Sequence, residues 1–228
     1  LEQKFSFLRV IRIDNKKTKN PCIPYNVGFS HARGSEIIIQ NAECLHVEDI
    51  ISSVRTTLTD QTYLSFACYA LDLPSSIHTQ LLSNNDPAQA SEFIINLRQT
   101  LHPQSQGCPG WYNHSVYSPR HLHFTTAITK KNLDELKGFD ERFAFGMDFD
   151  DDDFRMRVIR KGLTITPIDN PFSAHQWHNS SYVDTEVEGN TLNPQQLHNI
   201  NSELFHSHTK HELGWEAVLH EHYNCNGH

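Results

Sequence analysis

Residues Gly138 to Gly162, GFDERFAFGMDFDDDDFRMRVIRKG, carry the sharpest charge pattern in the chain. Five of the six residues from Asp148 to Asp153 are aspartates, and Arg155, Arg157, Arg160 and Lys161 follow them. Acids at the start of a helix and bases at its end complement the helix dipole. Asp150 to Arg160 is therefore expected to be a helix, with its aspartates in the first turn. Gly162 closes it, and Leu163 to Ile168 reads as the next strand. The plainest account of such a run is helix electrostatics beside a solvated acidic turn. An EF-hand does not fit. Asp148, Asp150 and Asp152 supply the right start, but the sixth position is Asp153 instead of glycine and the twelfth is Ile159 instead of glutamate.

Outward from this run, apolar patterning alternates between strands and helices. Upstream, Phe5 to Ile13 reads as a strand, followed by a polar turn and a helix over Tyr25 to Ala32 closed by Gly34. Glu36 to Gln40, EIIIQ, is a short continuous apolar run, which suits a central strand buried on both faces. Val47 to Leu58 has helical spacing, and Tyr63 to Leu71 is rich in strand formers. Leu73 to Leu101 reads as two helical pieces broken around Asn84 to Pro87. The stretch HPQSQGCPGWYNHSVYSPR (102–120) holds three prolines and two glycines, and so irregular a segment within a compact domain is usually functional. His121 to Thr126 is strand-like, and Thr129 can cap a short helix ending at Leu136. The tail is polar and rich in histidine, with helices expected near Pro194 to Phe205 and Glu212 to His222. This alternation implies an α/β fold, with a mostly parallel central sheet flanked by helices and Ile37 to Ile39 at its centre. One domain is expected over residues 1–178, with 179–228 packed on it.

Bulk properties exclude several classes. The chain has 228 residues, 37% hydrophobic and 20% charged, which reads as soluble and globular. No apolar run is long enough to span a bilayer, and the first residues do not read as a signal peptide. Net charge is −8, from 19 basic and 27 acidic residues. Only Lys16, Lys17 and Lys19 form a short basic patch, so a nucleic-acid partner is not expected. Five scattered cysteines with no CxxC pair point to free thiols in a reducing, cytoplasmic compartment and away from a cysteine zinc site.

Two sets of residues together resemble a known family. The first is the turn Gly138-Phe139-Asp140-Glu141, the acidic pair Asp150-Asp151, then Asp153-Phe154, Arg157 and Gly162. The second is Asn20-Pro21, Ile23, Asn26, Gly28, Ala32-Arg33-Gly34 and Glu36 to Ile39. Over Asn20 to His178 the chain resembles GT-A glycosyltransferases, those of glycosyltransferase family 2 in particular. The resemblance implies a GT-A fold and transfer of a sugar from a nucleotide-diphosphate donor to a hydroxyl of a glycan, protein or small molecule, with inversion. It implies Asp151 as the base for that hydroxyl, Asp150 as its acidic partner, and Asn26, Gly28, Arg33 and Asp148 on the substrate side. Where the family has Asp-x-Asp for a divalent cation, this chain has Asn41-Ala42-Glu43. Glu43 offers a carboxylate and Asn41 an amide oxygen to Mn²⁺ or Mg²⁺. His175 or His178 stands where a further ligand is found, and imidazole suits manganese better than magnesium. Trp111 and Tyr112 offer aromatic faces for a sugar ring. The family's usual first strand–helix–strand unit, whose end holds an aspartate for the nucleobase, is not found before Phe5.

Two other readings stand beside this one. The first is an inactive GT-A-like module that binds sugar or nucleotide. The second is a histidine-rich metallohydrolase, in which His206-x-His208-x-x-His211 and His220-x-His222 hold zinc.

Overall fold

The computed structural model describes residues 4–14, 16–100, 108–179, 185–187, 190–210 and 225–226. In chain order the elements are β1 (Arg12–Ile13), α1 (Cys22–His31), β2 (Glu36–Gln40), β3 (Cys44–His46), α2 (Ile50–Thr57), β4 (Thr62–Ala70), α3 (Leu73–Asn85) and α4 (Pro87–Thr100). They continue with β5 (Gly110–Asn113), β6 (Thr125–Thr129), α5 (Lys130–Leu136), a 3₁₀ turn (Glu141–Phe145), α6 (Asp150–Arg160) and β7 (Thr164–His175). Last come β8 (Thr185–Val187), β9 (Asn190–Leu192), α7 (Pro194–Lys210) and β10 (Cys225–Asn226). The chain forms two compact units. Unit 1 comprises Leu1–Arg33, Asp134–Phe154 and Ser180–His228, and unit 2 comprises Gly34–Leu133 and Arg155–Asn179. No helix among the described residues is long and apolar enough to cross a membrane.

Unit 2 is built on a sheet of order β2-β6-β4-β7-β3, with β5 also paired to β4. The α/β expectation holds, but the sheet is mixed. β4 and β7 run parallel, whereas β2/β6, β4/β6, β4/β5 and β3/β7 are antiparallel. β4 is buried along most of its length, as its run of strand formers implies. Strand alternation sends its even and odd residues to opposite faces. Leu64 and Phe66 thus pack with Ile50, Val54 and Ala127, while Ala67, Tyr69 and Leu71 pack with Val47, Ile94, Trp111, Phe172 and Ala174.

The expected central position of EIIIQ is corrected: β2 lies at the end of the sheet and pairs only with β6 among the described residues. Ile37 and Ile39 are nevertheless buried, and Ile38 packs partly against the Ile50 cluster. A continuous apolar run reports that both faces of a strand are covered. It does not report whether both hydrogen-bonding edges are paired. The opening strand is also shorter than its pattern suggested. Only Arg12–Ile13 pair, and Phe5, Phe7, Leu8 and Val10 are exposed. β3 and β5 were not foreseen, because three or four residues are too few for a period.

In unit 1, α1 and the 3₁₀ turn meet through aromatic rings. Phe139 stacks on Tyr25, Phe29 and Phe154, with centroids 5.3, 6.0 and 4.7 Å away. Asn26 clamps the turn that follows α5. Its Oδ1 accepts the Phe139 N–H at 2.8 Å, and its Nδ2 donates to Phe139 O at 2.8 Å and Glu141 Oε1 at 2.9 Å. The clamp fits because Gly138 has φ +64° and no side chain; a Cβ there would lie 2.2 Å from Asn26 Oδ1. Gly138→Ala combines the left-handed penalty with overpacking and is expected to cost roughly 2–4 kcal/mol. A thermal melt that matches the wild type would refute the clamp.

Candidate functional site

Glu43 and His175 are brought side by side by the β3/β7 ladder. Cys44 pairs with His175, and the Gln176 N–H donates to Glu43 O at 3.1 Å. Asn41 opens the turn before β3, its carbonyl accepting the Cys44 N–H at 3.0 Å. His175 ends β7, beside the end of β4, where its own carbonyl accepts the Leu71 N–H at 2.9 Å. This is the carboxyl end of the sheet's parallel pair, the side on which α/β sheets bind ligands.

The side chains converge there. His175 Nε2 lies 3.2 Å and His178 Nε2 3.8 Å from Glu43 Oε1. One ligand atom from each of the three falls within 4.8 Å of the others. The hydrogen bond from His175 is the main cause that holds the Glu43 carboxyl down to about 2, against its partial burial. Glu43 is thus an anion throughout the neutral range. The ring edges of Tyr112 and Phe124 flank His175, at 5.1 and 5.7 Å between centroids. His123, buried just before Phe124, is pushed down to about 3 by burial, with the Glu43 charge opposing, so it is neutral near pH 7. One carboxylate and two imidazoles at these separations can share one first-row cation bound at about 2.0–2.2 Å. The set fits manganese better than magnesium, because two of its three donors are nitrogen.

The acidic run lies in unit 1 at the start of α6, where the sequence put it. Asn20 organises this start. Its Nδ2 donates to Asp150 Oδ1 at 3.0 Å, and its Oδ1 accepts the Cys22 N–H at 3.0 Å, which joins the first turns of α6 and α1. Asp150 is buried, and burial is the main cause that pushes its carboxyl up to about 6. The charges of Asp148 and Asp153 add to this, and the Asn20 bond opposes it. Asp151 and Asp152 follow in the same turn and are half-buried.

A pH effect on stability follows. From its ordinary value of 3.8 to about 6, the folded state keeps a proton on Asp150 that the unfolded chain has released. Stability therefore falls as pH rises through that window. Asp150→Asn keeps the shape and cannot ionise. It should exceed the wild type by about 3 kcal/mol above pH 6, with the difference vanishing near pH 4. Melting curves at pH 4 and 7.5 test this; an equal difference at both would refute it.

Other expected site residues are placed as follows. Trp111 is corrected: it is 3% exposed and packs on Tyr69 and Phe172 in the core, so its face is not offered to a sugar. Tyr112, its neighbour on the alternate face of β5, is half-buried against His175. Asn26 is corrected from substrate ligand to turn clamp, since both ends of its amide are committed. Gly28 lies on an exposed face of α1 with open space where a Cβ would go, so nothing in unit 1 requires a glycine there. Arg33 is exposed just beyond α1. Asp148 is exposed and bonds to His198 Nδ1 at 2.9 Å. His206 meets Phe149 and Phe205 edge-on and joins no candidate metal group among the described residues. The side chain of His208, the helix expected over Glu212 to His222, and His211, His220 and His222 lie outside what is described. Sequence reading missed Asn20 as the partner of Asp150 and the aromatic pair around His175. Asn20 sat in a quoted motif, whereas Phe124 left no signal.

No protein-family model matches the chain, and no curated protein matches it. Among solved structures it is similar to the catalytic domain of Drosophila β1,4-galactosyltransferase 7 in complex with xylobiose. The TM-score is 0.44 at 15% identity, over 84% of this chain and 63% of that one. It is also similar to a mutant of the Drosophila enzyme in complex with manganese, UDP-Gal and xylobiose. There the TM-score is 0.42 at 15% identity, over 73% of this chain and 55% of that one. The chain thus spans less than two thirds of either protein.

Proposed function

We propose that this chain is a metal-dependent glycosyltransferase that moves a sugar from a nucleoside-diphosphate donor to an acceptor hydroxyl. The observation that carries this reading is the convergence of Glu43, His175 and His178 at the carboxyl end of β4 and β7. The GT-A resemblance of the sequence assigns Glu43 and Asn41 to the metal, with His175 or His178 as a further ligand. A cation held there, manganese in preference, supplies positive charge against the leaving diphosphate. Glu43 stays ionised to hold it, and Tyr112 and Phe124 keep the His175 ring in place. Asp151 takes the proton from the acceptor hydroxyl in an inverting displacement, and Asp150, bonded to Asn20, anchors the turn beneath it. The metal and base assignments belong to different compact units and are tested separately.

A thermal-shift screen of nucleoside diphosphates and their sugars, with and without Mn²⁺, tests the reading. A ligand that binds the native state raises its melting temperature by mass action. The expected result is a rise for one nucleobase class that requires the metal. No rise with any nucleotide would sink the proposal.

One observation favours a second reading. A glutamate with two histidines is also the ligand set of zinc hydrolases. Under that reading the protein purifies with zinc, and nucleotides leave its melting curve unmoved. Nucleotide binding without transfer would instead identify an inactive module.

A further inference from the structure

Asp148 and Phe149 both adopt left-handed backbone conformations, with φ of +64° and +65°. Two consecutive non-glycine residues there cost roughly 1–2 kcal/mol each, so the kink persists only if its surroundings impose it. It ends where α6 begins, since the Asp153 N–H donates to Phe149 O at 2.9 Å in the helix's first turn. The direction in which Asp150 and Asp151 leave the backbone is therefore set by this kink.

What imposes it comes from α7. Leu197, Asn201 and Phe205 recur every four residues and share one face of that helix. The Met147 N–H donates to Leu197 O at 3.1 Å. Asn201 is fully buried and donates its Nδ2 to Phe143 O at 3.0 Å and to Asp148 O at 2.8 Å, one bond on either side of Gly146. Gly146 is small enough for that approach; a Cβ on it would lie 2.2 Å from Asn201 Oδ1. His198 Nδ1 bonds Asp148 Oδ2 at 2.9 Å, and the Phe149 ring lies 5.1 Å from His198 and 5.4 Å from Phe205. Asn201 thus holds the Asp148 carbonyl and His198 its carboxylate, and His198 and Phe205 flank the Phe149 ring.

We propose that His198 and Asn201 are positioning residues, through which α7 fixes the kink at Asp148–Phe149 and so the pose of Asp150 and Asp151. This rests on the glycosyltransferase reading for its catalytic consequence, but not for its structural one.

The test uses the full chain with three variants. Asn201→Ala removes two buried bonds. His198→Leu keeps an apolar side chain against Phe149 and removes the bond to Asp148. His198→Asn restores a donor near the Nδ1 position. Hydrogen exchange at the Asp153 amide and transfer kinetics are read together. Asn201→Ala is expected to lower kcat roughly 100-fold and His198→Leu roughly fivefold, with the Kd for the nucleoside diphosphate and Mn²⁺ unchanged. Both should speed Asp153 exchange, and His198→Asn should return both readouts toward wild type. If Asn201→Ala does not fold, the exposed His198 pair still decides. Wild-type kcat and wild-type Asp153 exchange in His198→Leu would overturn the proposal. Should the wild type transfer no sugar, the glycosyltransferase reading fails by itself. The exchange data then decide alone: faster exchange rescued by His198→Asn upholds the clamp, and unchanged exchange overturns it.

Discussion

Glu43→Ala should weaken Mn²⁺ binding at least about 100-fold and abolish metal-dependent binding of the nucleoside diphosphate. Altering groups that merely support metal ligands already costs 10–100-fold, and Glu43 is the one carboxylate in the trio. Its loss leaves two imidazoles and no carboxylate facing a cation. The ladder that positions it uses its main chain, through the Gln176 N–H to Glu43 O, so the fold around His175 should survive the change. Titration with MnCl₂ alone, followed at saturating metal by the nucleoside diphosphate that the thermal-shift screen selects, separates the two effects. Equal manganese affinity in variant and wild type would remove the trio from consideration as a metal centre.

Asp151→Asn should reduce transfer by roughly two to four powers of ten, the usual loss when a general base is removed. Donor binding should stay nearly intact. The proposed function takes Asp151 as the base from the register of the acidic pair, and its neighbours serve as the controls. Asp150 is buried and bonded to Asn20, and it is still partly protonated near pH 6. Asp148 is exposed and engaged by His198. Single-turnover rates for the Asn variants of all three residues decide the assignment. Normal transfer by Asp151→Asn, with the loss falling on Asp148→Asn or Asp150→Asn, would move the base to that residue.

The two predictions differ in how far sequence alone supports them. The helix Asp150–Arg160 was legible to the residue, because its charge segregation and closing glycine mark both ends. The paired helices α3 and α4 were legible as well, since Asp86 and Pro87 interrupt an otherwise continuous helical pattern. The edge position of β2 was not, because pairing depends on partners far away in the chain. The candidate metal trio was legible as residue types at a strand end and in a following loop. Which histidine nitrogen faces Glu43 depends on β3, a three-residue strand with no period to read. Trp111 and Tyr112 look equivalent in sequence, yet strand alternation sends one into the core and the other toward His175. Asn201 and His198 were invisible because Asn201 bonds two main-chain carbonyls and His198 bonds an aspartate 50 positions away, at a kink that no residue type announces.

The clamp on that kink also has a timing. The residues of α7 that hold Asp148 come late in the chain: Asn201 is 53 positions after it. At about 5–20 residues per second, synthesis takes roughly 3–10 s to cover that distance. At the start of that interval a nascent chain holds only Glu43 of the candidate trio, and from His178 onward it holds all three, with the acidic helix start still unpinned. Ribosomes that stall or terminate between His178 and Leu197 would therefore release chains with the whole candidate trio and no clamp. The candidate metal trio and the pinned acidic turn are thus completed in sequence, and α7 completes the second.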